Sequence, residues 1–240
     1  HDAGNGLTVH FLYKKYPEVW KRIQPDMLKT FDFYNKFVGQ YPWRQYSFIQ
    51  GGDGGMEYGM CTLMLGEAKD LEGLVSLMVH EGAHSWYQQM LATNESMAPW
   101  LDEGFTTYAQ DFVLYRLFPP VQPQPNPFTD AIQSYVAFTK RKIEEPAVWL
   151  ADHHDHGSAY SVASYTKGQL FLVELGYIVG EENLSKIMRK YYDEWSMKHP
   201  TGRDFIHIAQ KVSGMDLKWF YHYWINTTKT IDYAIKDVKY

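Results

Sequence analysis

The sequence predicts an α+β fold, a small sheet followed by a mostly helical part, and three observations carry that expectation. Apart from the last few residues of the chain, segments that read as strands fall within the first 65 residues. From Asp70 onward apolar residues recur at helical spacing almost without interruption. The 240 residues, 45% hydrophobic and 17% aromatic, are enough to bury a sizeable core in one domain or two closely packed subdomains.

In chain order, Pro17 to about Val38 reads as a long amphipathic helix, Tyr46 to Gln50 as a short strand, and Met56 to Leu65 as a second strand behind a glycine-rich approach. Helices are then expected over residues 70–92, 100–118, 128–143, 165–179, 181–198, 202–213 and 216–225, with glycines or prolines near several junctions. Phe118 to Phe128 holds five prolines, which forbid a helix and make the stretch a loop. The aromatic run Trp219 to Trp224 has helical spacing and is expected to pack between the last helices. Thr230 to Val238 alternates like a strand with no partner in the chain, and so reads as the start of a further domain.

Composition narrows the function. No run approaches the eighteen or more apolar residues of a membrane span. A net charge of −5 without a lysine or arginine cluster argues against nucleic acid and leaves small or peptide ligands. Cys61, the single cysteine, cannot form an internal disulfide; its apolar surroundings predict a small buried thiol rather than a nucleophile. The chain begins at His1, which says nothing about a secretion signal, and the glycosylation triplets at Asn94, Asn183 and Asn226 are short enough to arise by chance.

Residues 80–84 read His-Glu-Gly-Ala-His, and Glu103 follows after eighteen intervening residues. On a helix His80 and His84 lie one turn apart on the same face, so both imidazoles reach one cation, while Glu81 points about 100° round the axis toward its open side. Leu71, Leu74, Val75, Leu77, Met78 and Val79 lead into the motif and Trp86, Met90 and Leu91 continue it, so the helix is buried. Two histidines and a glutamate turned inward need compensation, and a divalent metal supplies it most economically. The outline is that of a zinc hydrolase.

Four motifs, Gly54-Gly-Met-Glu-Tyr58, Val79 to Trp86, Trp100-Leu-Asp-Glu-Gly-Phe105 and Ser164-Tyr-Thr-Lys-Gly168, stand in an order and spacing that resembles the M1 family of zinc aminopeptidases over roughly residues 11–226. The resemblance implies a thermolysin-like catalytic domain over residues 1–228, a small mixed sheet over a helical subdomain with zinc in the cleft, and residues 229–240 as the start of a truncated segment. It implies one Zn2+ per chain held by His80, His84 and Glu103, with a fourth position for a water whose pKa the metal lowers toward ~7. Glu81 then resembles the general base, and Tyr165 the donor to the oxyanion, with Tyr160 near the substrate. The strand of Gly54, Gly55, Met56 and Glu57 would run along the cleft, Glu57 binding the free α-amino group; Tyr58 stands where the family has Asn, a departure that bears on the shape of the first substrate pocket. Asp102 is expected as the acceptor for a ligand histidine. Asp152-His-His-Asp-His156 looks like a metal cluster but is expected as a solvated loop, with a place along the cleft as the other option.

The implied activity is removal of N-terminal residues from peptides with a free amine. Family members usually carry an N-terminal β-domain and often C-terminal domains, so the chain is expected to be part of a longer protein. Bacterial members have signal peptides, which points to the periplasm, cell envelope or exterior. Two rival readings are a thermolysin-like endopeptidase, which would use the zinc site without Glu57, and a non-catalytic interaction domain that keeps the fold.

Overall fold

The computed structural model describes residues 1–4, 6–52, 54–65, 70–118, 125–230 and 237. Among these residues four short strands come first: β1 Thr8–Leu12, β2 Gln45–Gly51, β3 Gly55–Tyr58 and β4 Cys61–Leu65. They form one mixed sheet in the order β1-β2-β4-β3. Val9 faces Tyr46 and Phe48 faces Thr62 in the two parallel pairs, and Glu57 faces Thr62 in the antiparallel one. The sheet departs from expectation twice. β1 was not anticipated, because five residues between irregular segments give too short an alternation. The single strand expected over Met56–Leu65 is a hairpin turning at Gly59 and Met60, the latter at φ 59°. Alternation carried on across that tight turn, so the period could not reveal it.

Helix α1, Pro17–Phe37, opens on a proline, whose missing N–H costs nothing in a first turn. Its buried stripe of Trp20, Ile23, Met27, Phe31 and Tyr34 repeats every three or four residues and lies on the sheet, with the Phe31 ring 4.8 Å from Tyr46. Helix α2, Leu71–Ala83, is capped by Asp70, whose Oδ1 accepts the Gly73 N–H at 2.6 Å. The Tyr34 hydroxyl donates to the Val79 carbonyl at 3.2 Å, fixing α2 against α1.

Among the described residues seven further helices follow: α3 Phe105–Leu117, α4 Thr129–Thr139, α5 Gly157–Ser161, α6 Gly168–Val179, α7 Glu181–Trp195, α8 Gly202–Ser213 and α9 Lys218–Asn226. Wide π turns interrupt them at Ser85–Met90, Trp100–Gly104 and Val162–Lys167. The helix expected over 70–92 ends as α2 at Ala83, because the chain turns out of helical geometry at Tyr87 and Gln88, the latter at φ 97° and ψ −63°. The helix expected to begin at 165 is preceded by α5 and its π turn, which carry the helical path back to Gly157.

Phe220 packs on Phe171 at 5.0 Å, but Trp219 and Tyr223 are 52% and 49% exposed, so the aromatic run is only partly core. Consecutive aromatic residues point all round a helix, and only one face meets the protein. Cys61 is half-buried rather than buried, because its end of β4 pairs with the exposed tip of the hairpin. Within the loop expected over 118–128, residues 119–124 lie outside the described residues, as do 231–236 and 238 of the expected terminal strand. Among the described residues no helix is long and apolar enough to cross a membrane.

Candidate metal centre and active-site cleft

His80 and His84 leave the last turn of α2, and Glu103 comes from the π turn that opens α3. His80 Nε2 is 3.2 Å from His84 Nε2; Glu103 Oε2 is 3.2 Å from the first and 3.4 Å from the second. Tetrahedral zinc, with bonds of about 2.0–2.1 Å, needs ligand atoms about 3.3–3.4 Å apart.

The partners behind the rings say which nitrogens face inward. Gln110 donates its Nε2 to Ser76 O at 3.1 Å, so its Oε1, 3.0 Å from His80 Nδ1, is the acceptor and that nitrogen carries the proton. His84 Nδ1 faces Asp102 Oδ1 at 2.7 Å and Thr106 Oγ1 at 3.2 Å. Both Nε2 atoms thus turn lone pairs toward a carboxylate oxygen, an arrangement that needs a cation. The carboxylates of Asp102 and Glu103 outweigh burial and push the His84 pKa well above its usual value; a metal among the three atoms would take that proton's place. Burial opposes ionisation of Glu103, yet the neighbouring His80 and His84 hold its carboxyl well below the usual carboxylate range. The donor set fits zinc.

Glu81 lies beside this cluster, 6% exposed, with a buried Oε2 that has no hydrogen-bond partner. Burial pushes its carboxyl up to about 7, against the lowering pull of His80 and His84, so it can hold or release a proton near neutrality. Burial likewise lifts Asp102 to about 6 against the pull of His84. The Tyr165 hydroxyl donates to Glu103 Oε1 at 2.7 Å, and burial and that carboxylate raise its pKa.

Two close approaches set these distances. A Cβ on Gly55 would lie 2.0 Å from Glu81 Oε1, so a larger residue there would push the Glu81 carboxyl from its place under β3. A Cβ on Gly104 would lie 2.5 Å from the Gly168 Cα, so the π turns bearing Glu103 and Tyr165 cross backbone to backbone.

A cleft of about 340 Å³ opens over the cluster. Gly55, Met56 and Glu57 line it, as do Tyr160 and Tyr165, whereas Gly54 does not. Glu57 offers an oxygen in one group with Glu81 and His84 whose atoms lie within 4.8 Å of one another. Tyr58 is 47% exposed, outside the lining. Of the histidine-rich loop only part is solvated: His153 is exposed, but the His154 side chain is 2% exposed and meets Glu145 Oε2 at 2.7 Å. Ring contacts to Trp149 and Tyr160 enclose it, and Ala151 of the same loop lines the cleft.

Sequence reasoning missed Gln110, Thr106, Glu95, Ser96 and Ala151. Gln110 had a signal, since it follows Glu103 by seven residues and so shares its helical face. Glu95, Ser96 and Ala151 reach the cleft from loops, where no periodicity marks them.

Residues 25–224 match the Peptidase family M1 domain. Leucine aminopeptidase 2 of Chaetomium globosum is 26% identical over 198 residues, 73% of this chain and 30% of that protein. Aminopeptidase B of Rattus norvegicus is 26% identical over 214 residues, 80% of this chain and 32% of that protein. The chain therefore spans about a third of these curated relatives. Among solved structures, an M1 zinc metallopeptidase from Deinococcus radiodurans superposes with a TM-score of 0.69 at 16% identity, over 86% of this chain and 45% of that one. Leukotriene A4 hydrolase from Saccharomyces cerevisiae does so with a TM-score of 0.75 at 18% identity, over 98% and 40%. At such identities the likeness is one of fold.

Proposed function

The chain belongs to peptidase family M1, and from that premise we propose that it is the catalytic domain of a zinc aminopeptidase, with His80, His84 and Glu103 as the metal ligands. The observation that carries this reading is the convergence of three lone-pair atoms at 3.2–3.4 Å beside a buried carboxyl that titrates near neutrality. Zinc in such a three-ligand site supplies Lewis-acid chemistry at neutral pH.

The chain's own groups do the rest. Glu57 accepts the ammonium of the substrate's first residue, a charge-assisted contact worth about 1.5–3 kcal/mol that favours free N-termini. Glu81 takes a proton from the attacking water as its oxygen bonds to the scissile carbonyl carbon, then returns that proton to the departing amine nitrogen as the C–N bond breaks. The Tyr165 hydroxyl turns to donate to the carbonyl oxygen as negative charge develops there. Asp102 and Gln110 hold the two imidazoles in the tautomers that leave both Nε2 atoms free.

The test is hydrolysis of amino-acid anilides and N-blocked peptides by zinc-loaded protein. Only free-amine substrates should be cleaved, and Glu81→Gln should keep stoichiometric zinc while losing about 10²–10⁴ in kcat. Glu57→Gln should relax the demand for a free amine. Cleavage of blocked peptides by the unmodified protein would turn the assignment to an endopeptidase, and zinc binding without turnover to a non-catalytic domain.

A further inference from the structure

Lys167 closes the π turn that carries Tyr165, and its side chain is 3% exposed. Its Nζ meets Glu144 Oε1 at 2.6 Å, the Glu144 side chain being 8% exposed. The same Oε1 accepts the Tyr135 hydroxyl of α4 at 2.7 Å. Lys167 Nζ also donates to the Thr227 carbonyl just past α9 at 3.0 Å, and the Lys167 carbonyl accepts the Trp224 indole N–H at 3.0 Å. One residue is thus tied through side chain and backbone to α4, to the segment after it and to α9, yet it does not line the cleft.

A buried ion pair is a poor source of stability, since apolar groups of the same volume often do as well. Its directional bonds, however, place a backbone. A π turn carries an extra residue, so regular helical geometry does not by itself aim the side chains along it. We propose that Lys167 is a positioning residue, its buried pair with Glu144 holding the Val162–Lys167 turn so that the Tyr165 hydroxyl stays against Glu103. The proposal rests on the reading that Tyr165 acts in the reaction.

A double-mutant cycle tests it. Tyr165→Phe lowers kcat by about 10²–10³ if the hydroxyl serves the oxyanion. Lys167→Met combined with Glu144→Leu removes both charges, so that neither is left buried alone; kcat should fall about tenfold or more, the cost of a displacement of about 1 Å or less, while KM stays within about threefold and zinc remains stoichiometric. In the Tyr165→Phe background the same pair should cost nothing further, because it acts only through that hydroxyl. Should the pair impair folding, as judged by thermal melting, Tyr135→Phe removes one bond to Glu144 without changing charge, and its smaller loss should likewise vanish in the Tyr165→Phe background. An equal loss in both backgrounds, or none in either, overturns the positioning role alone. Tyr165→Phe with unchanged kcat overturns it together with the role of Tyr165.

Discussion

Gln110 and Asp102 hold the outer nitrogens of the two histidines whose Nε2 atoms face Glu103, one with a neutral amide at 3.0 Å and the other with a carboxylate at 2.7 Å. Removing either leaves a ring free to rotate or change tautomer, so Gln110→Leu and Asp102→Asn should each weaken zinc binding by about 10–100-fold. Competition with a chromogenic chelator reads this directly, and unchanged affinity in both variants would show that the backbone alone orients the rings. At this scale the chain was legible wherever helical geometry relates the residues. His80, Glu81 and His84 follow from one turn of helix, and Asp102 from its place beside Glu103. Glu95 and Ala151 were not legible, because a loop brings them to the cleft and no local rule fixes where a loop returns.

The elements that shape the cleft are those that depart from regular geometry. Glu103 and Tyr165 sit on π turns that meet at Gly104 and Gly168, and a Cβ on Gly168 would fall 2.8 Å from the Gly104 Cα and 2.9 Å from the Trp100 carbonyl. Backbone cannot yield as a side-chain tip does. Gly168→Ala should therefore spread the crossing, costing about 1–3 kcal/mol of stability and lowering kcat as Tyr165 withdraws from Glu103. Urea midpoints and kcat measured on the same preparations check this; a stable variant with full activity would mean that the crossing carries no catalytic geometry. Helical periodicity located these segments but misjudged their limits. A π turn keeps apolar residues inward with a period close to that of an α-helix, and the break at Gln88 depends on a backbone angle, φ 97°, that residue type does not announce.

Across the whole molecule, aromatic groups fill both the sheet side and the helical side of the core. Tyr34, Tyr46, Tyr87 and Tyr191 are buried, and burial raises each phenol's pKa. A folded pKa above the unfolded value of about 10 means that their stabilisation is complete below pH 10 and is lost as the pH climbs past it, by up to about 1.4 kcal/mol per unit for each group. The urea midpoint should fall between pH 8 and pH 11. Absorbance at 295 nm should show part of the 19 tyrosines ionising only on unfolding; full titration of the native protein at pH 11 would contradict this. By itself the sequence determined the order of parts, early strands and then helices, and the local chemistry of the His80–His84 turn, since both follow from periodicities of two and 3.6 residues. The tertiary structure alone decided the unanticipated β1, the π turns, and the distances at which Glu57, Glu103 and Tyr165 meet over one cluster. Those depend on Gly55 passing against the Glu81 side chain and on the backbones of Gly104 and Gly168 meeting, contacts between segments far apart in the chain that no local preference encodes.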